Sequence, residues 1–239
     1  MNHLSAIQIR SSRRTYTDQP IEGAKVKRLN EMIYQFNNEA SLHLQLVLNN
    51  GDAFSKFNKS YGLFKGVKNY ITLIGKKDKH VFEKMGYFGE KLVLEATCMG
   101  LGTCWVGGTF DKDAIACNVL EDEVFYGIIA IGNVAETKTF KERTISKLTH
   151  RKTKSIEEFY ESDLQIPEWF INGIKAAQKA PSAMNGQPVK FYYKSGKVTG
   201  KILDNLDYRK VDLGIAKYHF ELGAGGGHWE YGNDGVFTK

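Results

Sequence analysis

"GEKLVLEATCMGLGTCWVGGTF" occupies residues 89–110. Leu92, Val93, Leu94, Ala96 and Met99 leave little polar surface on the helix that their spacing predicts over 82–99. A helix that is apolar nearly all round is buried on most sides. Two glycine pairs, Gly100 with Gly102 and Gly107 with Gly108, then flank an apolar Trp-Val step. Without side chains there, the backbone can approach a flat ligand and aim N–H groups at a ring nitrogen or carbonyl. The plainer alternative is a glycine C-cap followed by a loop. A dinucleotide fingerprint is excluded, because the third glycine is missing and no strand is expected before the run.

The same pattern returns as "GIAKYHFELGAGGGHWEYGN" at 214–233. At one offset of 125 residues Gly89 pairs with Gly214, Gly100 with Gly225, Gly102 with Gly227 and Gly107 with Gly232. The second glycine run also lacks a preceding strand and reads as a helix C-cap and loop. A helix-then-strand unit echoes too: "IEGAKVKRLNEMIYQF" precedes "SLHLQLVL", and "IPEWFINGIKAAQKAPS" precedes "VKFYY". This predicts two related half-domains, one over 1–155 and a truncated one over 156–239.

Between these landmarks, spacing predicts a short helix near 5–9 and a helix over 22–36 with Val26, Leu29, Ile33 and Phe36 inward. Leu42, Leu44, Leu46 and Leu48 alternate along a strand, and further strands are expected at 69–75, 126–133 and 189–194. A lysine-rich connection fills 138–154, and helices are expected over 168–180 and 213–222. Helices and strands mix without a βαβ rhythm. The expected class is α+β, with mixed sheets and a buried central helix.

The 239 residues are 42% hydrophobic and 25% charged, an ordinary balance for a folded domain. The net charge of +6 is densest at 10–14 and 150–154, which suggests local anion sites. No basic stripe with interleaved aromatics appears, so nucleic acid is not an expected partner. No apolar run approaches the ~18 residues of a membrane span, and the N-terminus lacks a signal-peptide core. Cys98, Cys104 and Cys117 show neither a disulfide nor a zinc pattern. A cytoplasmic protein is expected.

Two more stretches carry chemistry. In "RSSRR", residues 10–14, the hydroxyls of Ser11 and Ser12 sit among Arg10, Arg13 and Arg14. Guanidiniums with short hydroxyl donors suit a dianionic phosphate, although an exposed basic turn has the same composition. In "QKAPSAMNGQPVKF", residues 178–191, Pro181 fixes the helix exit, Ser182 and Asn185 offer polar atoms, and Gln187 precedes a second rigid proline. The alternative there is a decorated helix-to-strand turn.

Together the three stretches make the chain resemble the flavin-dependent nitroreductase family. Its R-x-S-x-R motif is matched by Arg10, Ser12 and Arg14, and its A-P-S-x-x-N-x-Q-P motif by Ala180, Pro181, Ser182, Asn185, Gln187 and Pro188. G-L-G-T-x-W-x-G-G is matched from Gly100 to Gly108, and a basic pair before an acidic helix by Arg151, Lys152 and "SIEEF". The order departs from the family, whose A-P-S turn lies soon after R-x-S-x-R. Here that early place holds "NEASLHLQLVL". The resemblance is therefore to a fused, tandem-repeat branch, in which one chain stands in for a homodimer.

The resemblance implies FMN as cofactor. Arg10, Ser11, Ser12 and Arg14, with Arg151 and Lys152, would hold the phosphate. Val106, Gly107 and Gly108 would run under the flavin ring, and Pro181, Ser182, Ala183, Asn185 and Gln187 would close it from the other side. It also implies NAD(P)H as electron donor, a small acceptor such as a nitro compound or quinone, ping-pong turnover, and a monomer or homodimer. No side chain reads as an obligatory acid or base, and none of the six histidines lies in these motifs. Two rival readings are an oxygen-dependent flavoprotein of the same fold that consumes its own reduced flavin, and a non-enzymatic flavin-binding protein. A third is a basic interaction domain without cofactor. Because "RSSRR" and "APSAMNGQP" each occur once, one FMN per chain is expected. Flavin released by heat, divided by polypeptide concentration, measures that ratio, and two per chain would defeat the reading.

Overall fold

The structure is a computed structural model that describes residues 1–149 and 152–239, without the side chains of residues 57, 58, 146, 148 and 149. Its elements are α1 (His3–Ile9), α2 (Gly23–Ala40), β1 (Gln45–Val47), α3 (Phe57–Ser60), β2 (Tyr70–Lys76), α4 (Val81–Cys98), β3 (Gly102–Val106), β4 (Glu123–Gly132), α5 (Phe140–Thr149), β5 (Tyr160–Ser162), α6 (Glu168–Ala177), β6 (Lys190–Lys194), β7 (Lys197–Lys201), α7 (Asp207–Gly223), β8 (His228–Trp229) and β9 (Val236–Thr238). The α+β class holds. Among the described residues no helix is long and apolar enough to cross a membrane.

The chain forms two compact units. One comprises Ile9–Asp78 and Leu92–Leu148. The other comprises Met1–Gln8, Lys79–Lys91 and Thr149–Lys239. These units interleave in sequence, whereas the division expected at 155/156 is contiguous. The difference arises because α1 and the first half of α4 cluster with the C-terminal segment.

The first unit carries a sheet of order β1-β2-β4-β3, antiparallel throughout. The second carries β5-β6-β7-β9-β8, in which β5 joins β6 in parallel and the other pairs are antiparallel. Without β5 the two strand orders are the same. In each, a helix separates the second strand from the third: α4 in one, α7 in the other. At the 125-residue offset the last residue of α4, Cys98, falls on the last residue of α7, Gly223. Two residues later come Gly100 (φ +77°) and Gly225 (φ +82°), in the left-handed region that glycine enters without steric cost. The bonds closing these ends also correspond. Leu101 N–H donates to Ala96 O and Gly100 N–H to Thr97 O, as Gly226 N–H donates to Glu221 O and Gly225 N–H to Leu222 O.

Three segments differ from expectation. The glycine-flanked run after α4 is not a loop throughout: residues 102–106 form β3, paired with β4 from Gly102↔Gly132 to Val106↔Ile128. The lysine-rich connection contains α5. The alternating leucines yield only a three-residue ladder, with Leu42 in an isolated bridge to Gly75.

The core of the first unit gathers Tyr16, Tyr70, Cys104, Val106, Phe110 and Ile128. The second is built from rings: Phe191 stacks on Phe220 at 4.9 Å, and Trp229 and Phe237 meet Phe220 edge-on. Within this unit the first half of α4 crosses α7 at very short range. A Cβ on Gly86 would lie 2.1 Å from Val211 O, and one on Gly214 2.0 Å from Glu83 O. Glycine in a helix interior costs about 1 kcal/mol relative to alanine, so only a larger clash explains its presence. Gly214→Ala is expected to destabilise by at least about 1–3 kcal/mol, the usual range for overpacking, because the atoms it meets are backbone. Gly108→Ala, with nothing within 4 Å, is the neutral control. Urea denaturation midpoints of the two variants test this.

Candidate functional site

In the first unit the motif at 10–14 lies along the free edge of β3. Ser12 bridges Thr103 in parallel, Arg13 N–H donates to Thr103 O at 2.8 Å, and Thr15 bridges Lys65 on the other side. An extended segment sends successive side chains to opposite faces. The spacing R-x-S-x-R is therefore the period of a strand: Ser12 and Arg14 share one face and Arg13 takes the other. Arg13 is buried at 8% exposure, while Arg10, Ser11, Ser12 and Arg14 are half-buried.

Arg13 is inward because a carboxylate awaits it. Glu142, 1% exposed, accepts from Arg13 Nε (3.2 Å) and from the backbone N–H groups of Arg14 (2.7 Å), Thr15 (3.2 Å) and Thr139 (2.9 Å). The Arg13 guanidinium also donates to Ala135 O at 2.9 Å. Burial pushes the Glu142 pKa up, but the N–H groups of Arg14 and Thr139 and the Arg13 guanidinium outweigh it and hold it at about 2. Glu142 is placed by a capping box at the start of α5, since its N–H donates back to Thr139 Oγ1.

Lys138 is the neighbour of this box and is half-buried. Burial lowers its pKa, and repulsion from Arg13, Arg10 and Arg14 lowers it further against the pull of Glu142. Among the described residues Arg13, Arg14 and Lys138 thus lie near one carboxylate, and that carboxylate is occupied by Arg13 and backbone N–H groups. The surplus positive charge around Ser12 fits a phosphate dianion.

At the far end of β3, Val106 turns its side chain into the core and presents only backbone, whereas Gly107 and Gly108 are exposed. Neither glycine has positive φ. A Cβ on Gly107 would meet only Tyr126 Oη at 3.7 Å, and one on Gly108 nothing within 4 Å. Folding does not require glycine at either place, and the bare backbone leaves room for a flat ring. Cys104, on the same strand, is a core residue whose thiol burial pushes up.

The A-P-S turn belongs to the second unit. Pro181, Ser182 and Asn185 are half-buried, and Ala183 is exposed. Met184 (φ 51°), Asn185 (φ 51°) and Gln187 (φ 46°) all adopt left-handed backbone without being glycine, a strained arrangement of the kind found at functional turns. Ser182 Oγ accepts from Gln187 N–H at 2.9 Å. The Gln187 side chain points inward, at 5% exposure: it accepts from Lys154 N–H (2.9 Å) and donates to Gln178 O (3.3 Å). Gln187 therefore braces the turn, and Ser182, Ala183 and Asn185 form its outer surface. Lys152 is exposed in the same unit. Arg151 lies outside the described residues.

The structure thus brings "RSSRR" and the β3 segment together in one unit. Sequence reading missed Glu142 and Lys138. The signal for Glu142 was present as Thr139-x-x-Glu142, a capping-box pattern inside the basic run. Nothing local marks Lys138. The Glu142 pKa lies below the ordinary 4.5, so its stabilisation is full above about 4.5 and is lost as pH falls through about 2. Glu142→Gln is expected to flatten stability against pH over that window. At neutral pH it should cost about 3–5 kcal/mol, because Arg13 stays buried without its counter-charge. Urea denaturation of the two proteins at pH 7 and across pH 2–5 measures both effects.

A family model described as "Putative TM nitroreductase" matches residues 2–224. The crystal structure of a Thermotoga maritima protein of that description is 25% identical, covers 99% of this chain and 92% of its own, and superposes with a TM-score of 0.67. An FMN-dependent nitroreductase of Clostridium difficile is 18% identical over 63% of this chain and 98% of its own, with a TM-score of 0.45. No curated protein matches. The matched span contains the phosphate-type motif, the glycine run and the A-P-S turn alike, and the chain belongs to this nitroreductase family.

Proposed function

We propose that the protein is an FMN-dependent oxidoreductase of tandem-repeat build that takes electrons from NAD(P)H and passes them to a small organic acceptor such as a nitro compound or quinone. The observation that carries this reading is the cluster of cations around Ser12, beside β3, the strand that runs into two glycines the fold does not need. FMN, when bound, supplies the two-electron chemistry. The chain's own part is binding and orientation.

Arg10 and Arg14 give charge-assisted, fork-shaped contacts to phosphate oxygens, and Ser12 gives a short donor where a long side chain would clash. Lys138 adds a point charge, with Lys152 and Arg151 as further cations. Backbone N–H groups at Gly107 and Gly108 would be the contacts to the ring. The outer face of the A-P-S turn, Pro181 to Asn185, is the second unit's own candidate surface for flavin contact. No side chain in these segments reads as an obligatory acid or base, and water or Tyr and Thr hydroxyls would serve as proton sources.

Arg14→Ala is expected to weaken FMN binding by about 1.5–3 kcal/mol, the range for a hydrogen bond to a charged group. Riboflavin, which has no phosphate, should bind both proteins alike. Fluorescence titration with both flavins tests this. Equal losses for the two would remove Arg14 from the phosphate site, and a wild-type protein that takes up neither flavin would defeat the proposal.

A further inference from the structure

The A-P-S turn is held in a strained shape, and its anchor on another helix is Asp212. This residue lies in α7 at 4% exposure. Both carboxylate oxygens accept from one donor, Ala183 N–H, at 3.1 and 3.3 Å. Ala183 is the first of the residues 183–187, three of which carry left-handed backbone. Within the turn, Asn185 N–H donates to Ser182 O, Gly186 N–H to Ala183 O, and Gln187 N–H to Ser182 Oγ, while its last residue, Gln187, is held from outside by Lys154 and Gln178. Gln187 thus secures the end of the turn, and the Asp212 contact secures its start, at the exposed Ala183.

A buried carboxylate is an expensive way to hold one N–H. The charged side chain that reaches Asp212 is Arg209 on its own helix, and Arg209 Nε pairs with Asp204 at 3.4 Å. The elements facing Asp212 across the narrow cleft beneath the turn present Phe159, Ala180, Ser182, Gln187 and Val189, none of them charged. An alanine or leucine would suit such apolar walls better if packing were the only demand. An asparagine would still accept the hydrogen bond without the cost of charge. We infer that Asp212 is a positioning residue of the flavin site: its ionised carboxylate grips Ala183 N–H and holds the outer surface of the 182–185 turn in the place where it meets the cofactor. This rests on the flavin reading above.

The charge state of this anchor varies near neutrality. Burial raises the Asp212 pKa to about 7, against the opposing pull of Ala183 N–H and of Arg209. A hydrogen bond to an ionised carboxylate is stronger than one to the neutral acid. The grip on the turn therefore tightens as pH rises through about 7.

The test compares wild type, Asp212→Asn and Asp212→Leu. Hydrogen exchange, corrected for intrinsic rates, is read over residues 181–187, and FMN titrations are run from pH 5.5 to 8.5. Asparagine keeps an acceptor oxygen and leucine does not. The Leu variant is expected to lose protection over the turn and to bind FMN roughly tenfold or more weakly, the weight of one hydrogen bond to a charged group. The Asn variant is expected to keep most of the protection. Its FMN affinity should lose the rise that wild type shows through about pH 7, while any contribution from phosphate ionisation remains in both. Wild-type protection and affinity in the Leu variant would overturn the inference, as would one shared pH profile for wild type and Asn. If the Leu variant does not fold, the Asn profile decides. Wild type that takes up no FMN would defeat the flavin reading, and exchange over the turn would still report whether Asp212 anchors it.

Discussion

The Glu142 carboxylate is the constraint on which the phosphate side of the candidate site depends. Burying it carries a penalty of several kcal/mol. Against that stand five hydrogen bonds to a charged group, each contributing about 1.5–3 kcal/mol, so the sum favours the arrangement. Its partners decide the geometry. Two are the consecutive N–H groups of Arg14 and Thr15 and a third is the Arg13 side chain, so one carboxylate fixes both the path of the backbone and the hand of the alternation. With Arg13 committed inward, Ser12 and Arg14 are directed together to the opposite face. The family's R-x-S-x-R spacing follows from β-geometry plus one buried anion.

The second unit uses buried charge differently. Lys217, 1% exposed, donates to Glu83 Oε1 (2.6 Å), Glu230 O (3.0 Å) and Gly232 O (2.8 Å), so all three ammonium protons are used. Glu83 Oε2 accepts from Gly232 N–H. This pair ties the start of α4, the middle of α7 and the segment before β9 into one body. It is balanced within itself and leaves no surplus for a ligand. His219, wholly buried, likewise meets Glu90 at 2.9 Å and Ala176 O at 3.1 Å. Buried polar groups with a full set of partners specify packing. The first unit differs because, among the described residues, Arg14 and Lys138 lie beside a carboxylate that Arg13 already occupies.

Much of this was legible in the sequence, and the exceptions have physical causes. The helices α2, α4, α6 and α7 declare themselves because a long apolar face repeats. Strands β2 and β4 do so because they are continuous apolar runs. β3 was hidden because its Thr-Cys-Trp-Val core sits between glycines, which signal a loop unless the pairing with β4 is known. The partner strand β7 follows a Ser195-Gly196 turn with both residues at positive φ, a tight hairpin signal obscured by lysines on either side. β8 and β9 are too short for any period to show. α5 lay inside a basic run whose charge masked its capping box. In the site, Arg10, Ser12, Arg14 and the A-P-S turn were visible as residue types in order. Glu142, Lys138 and Asp212 act across 29 to 129 positions of chain, and no local pattern marks such partners.

The glycine echo marks where the two units correspond in structure. Gly100 and Gly225 recur because each follows a helix end with the same two closing bonds, in a backbone conformation that other residues enter only with strain. The strand order recurs because the helix between the second and third strands delivers the chain to the far side of the fourth in both sheets. The chemical residues do not recur. The offset that superimposes the helix ends finds no second "RSSRR" and no second Pro-Ser turn. Backbone geometry restricts a position to one residue type wherever the fold is repeated. A ligand contact restricts it only where the ligand sits. The likeness of the two frames thus lies in residues required by the chain's own path, and the segments that occur once lie outside it.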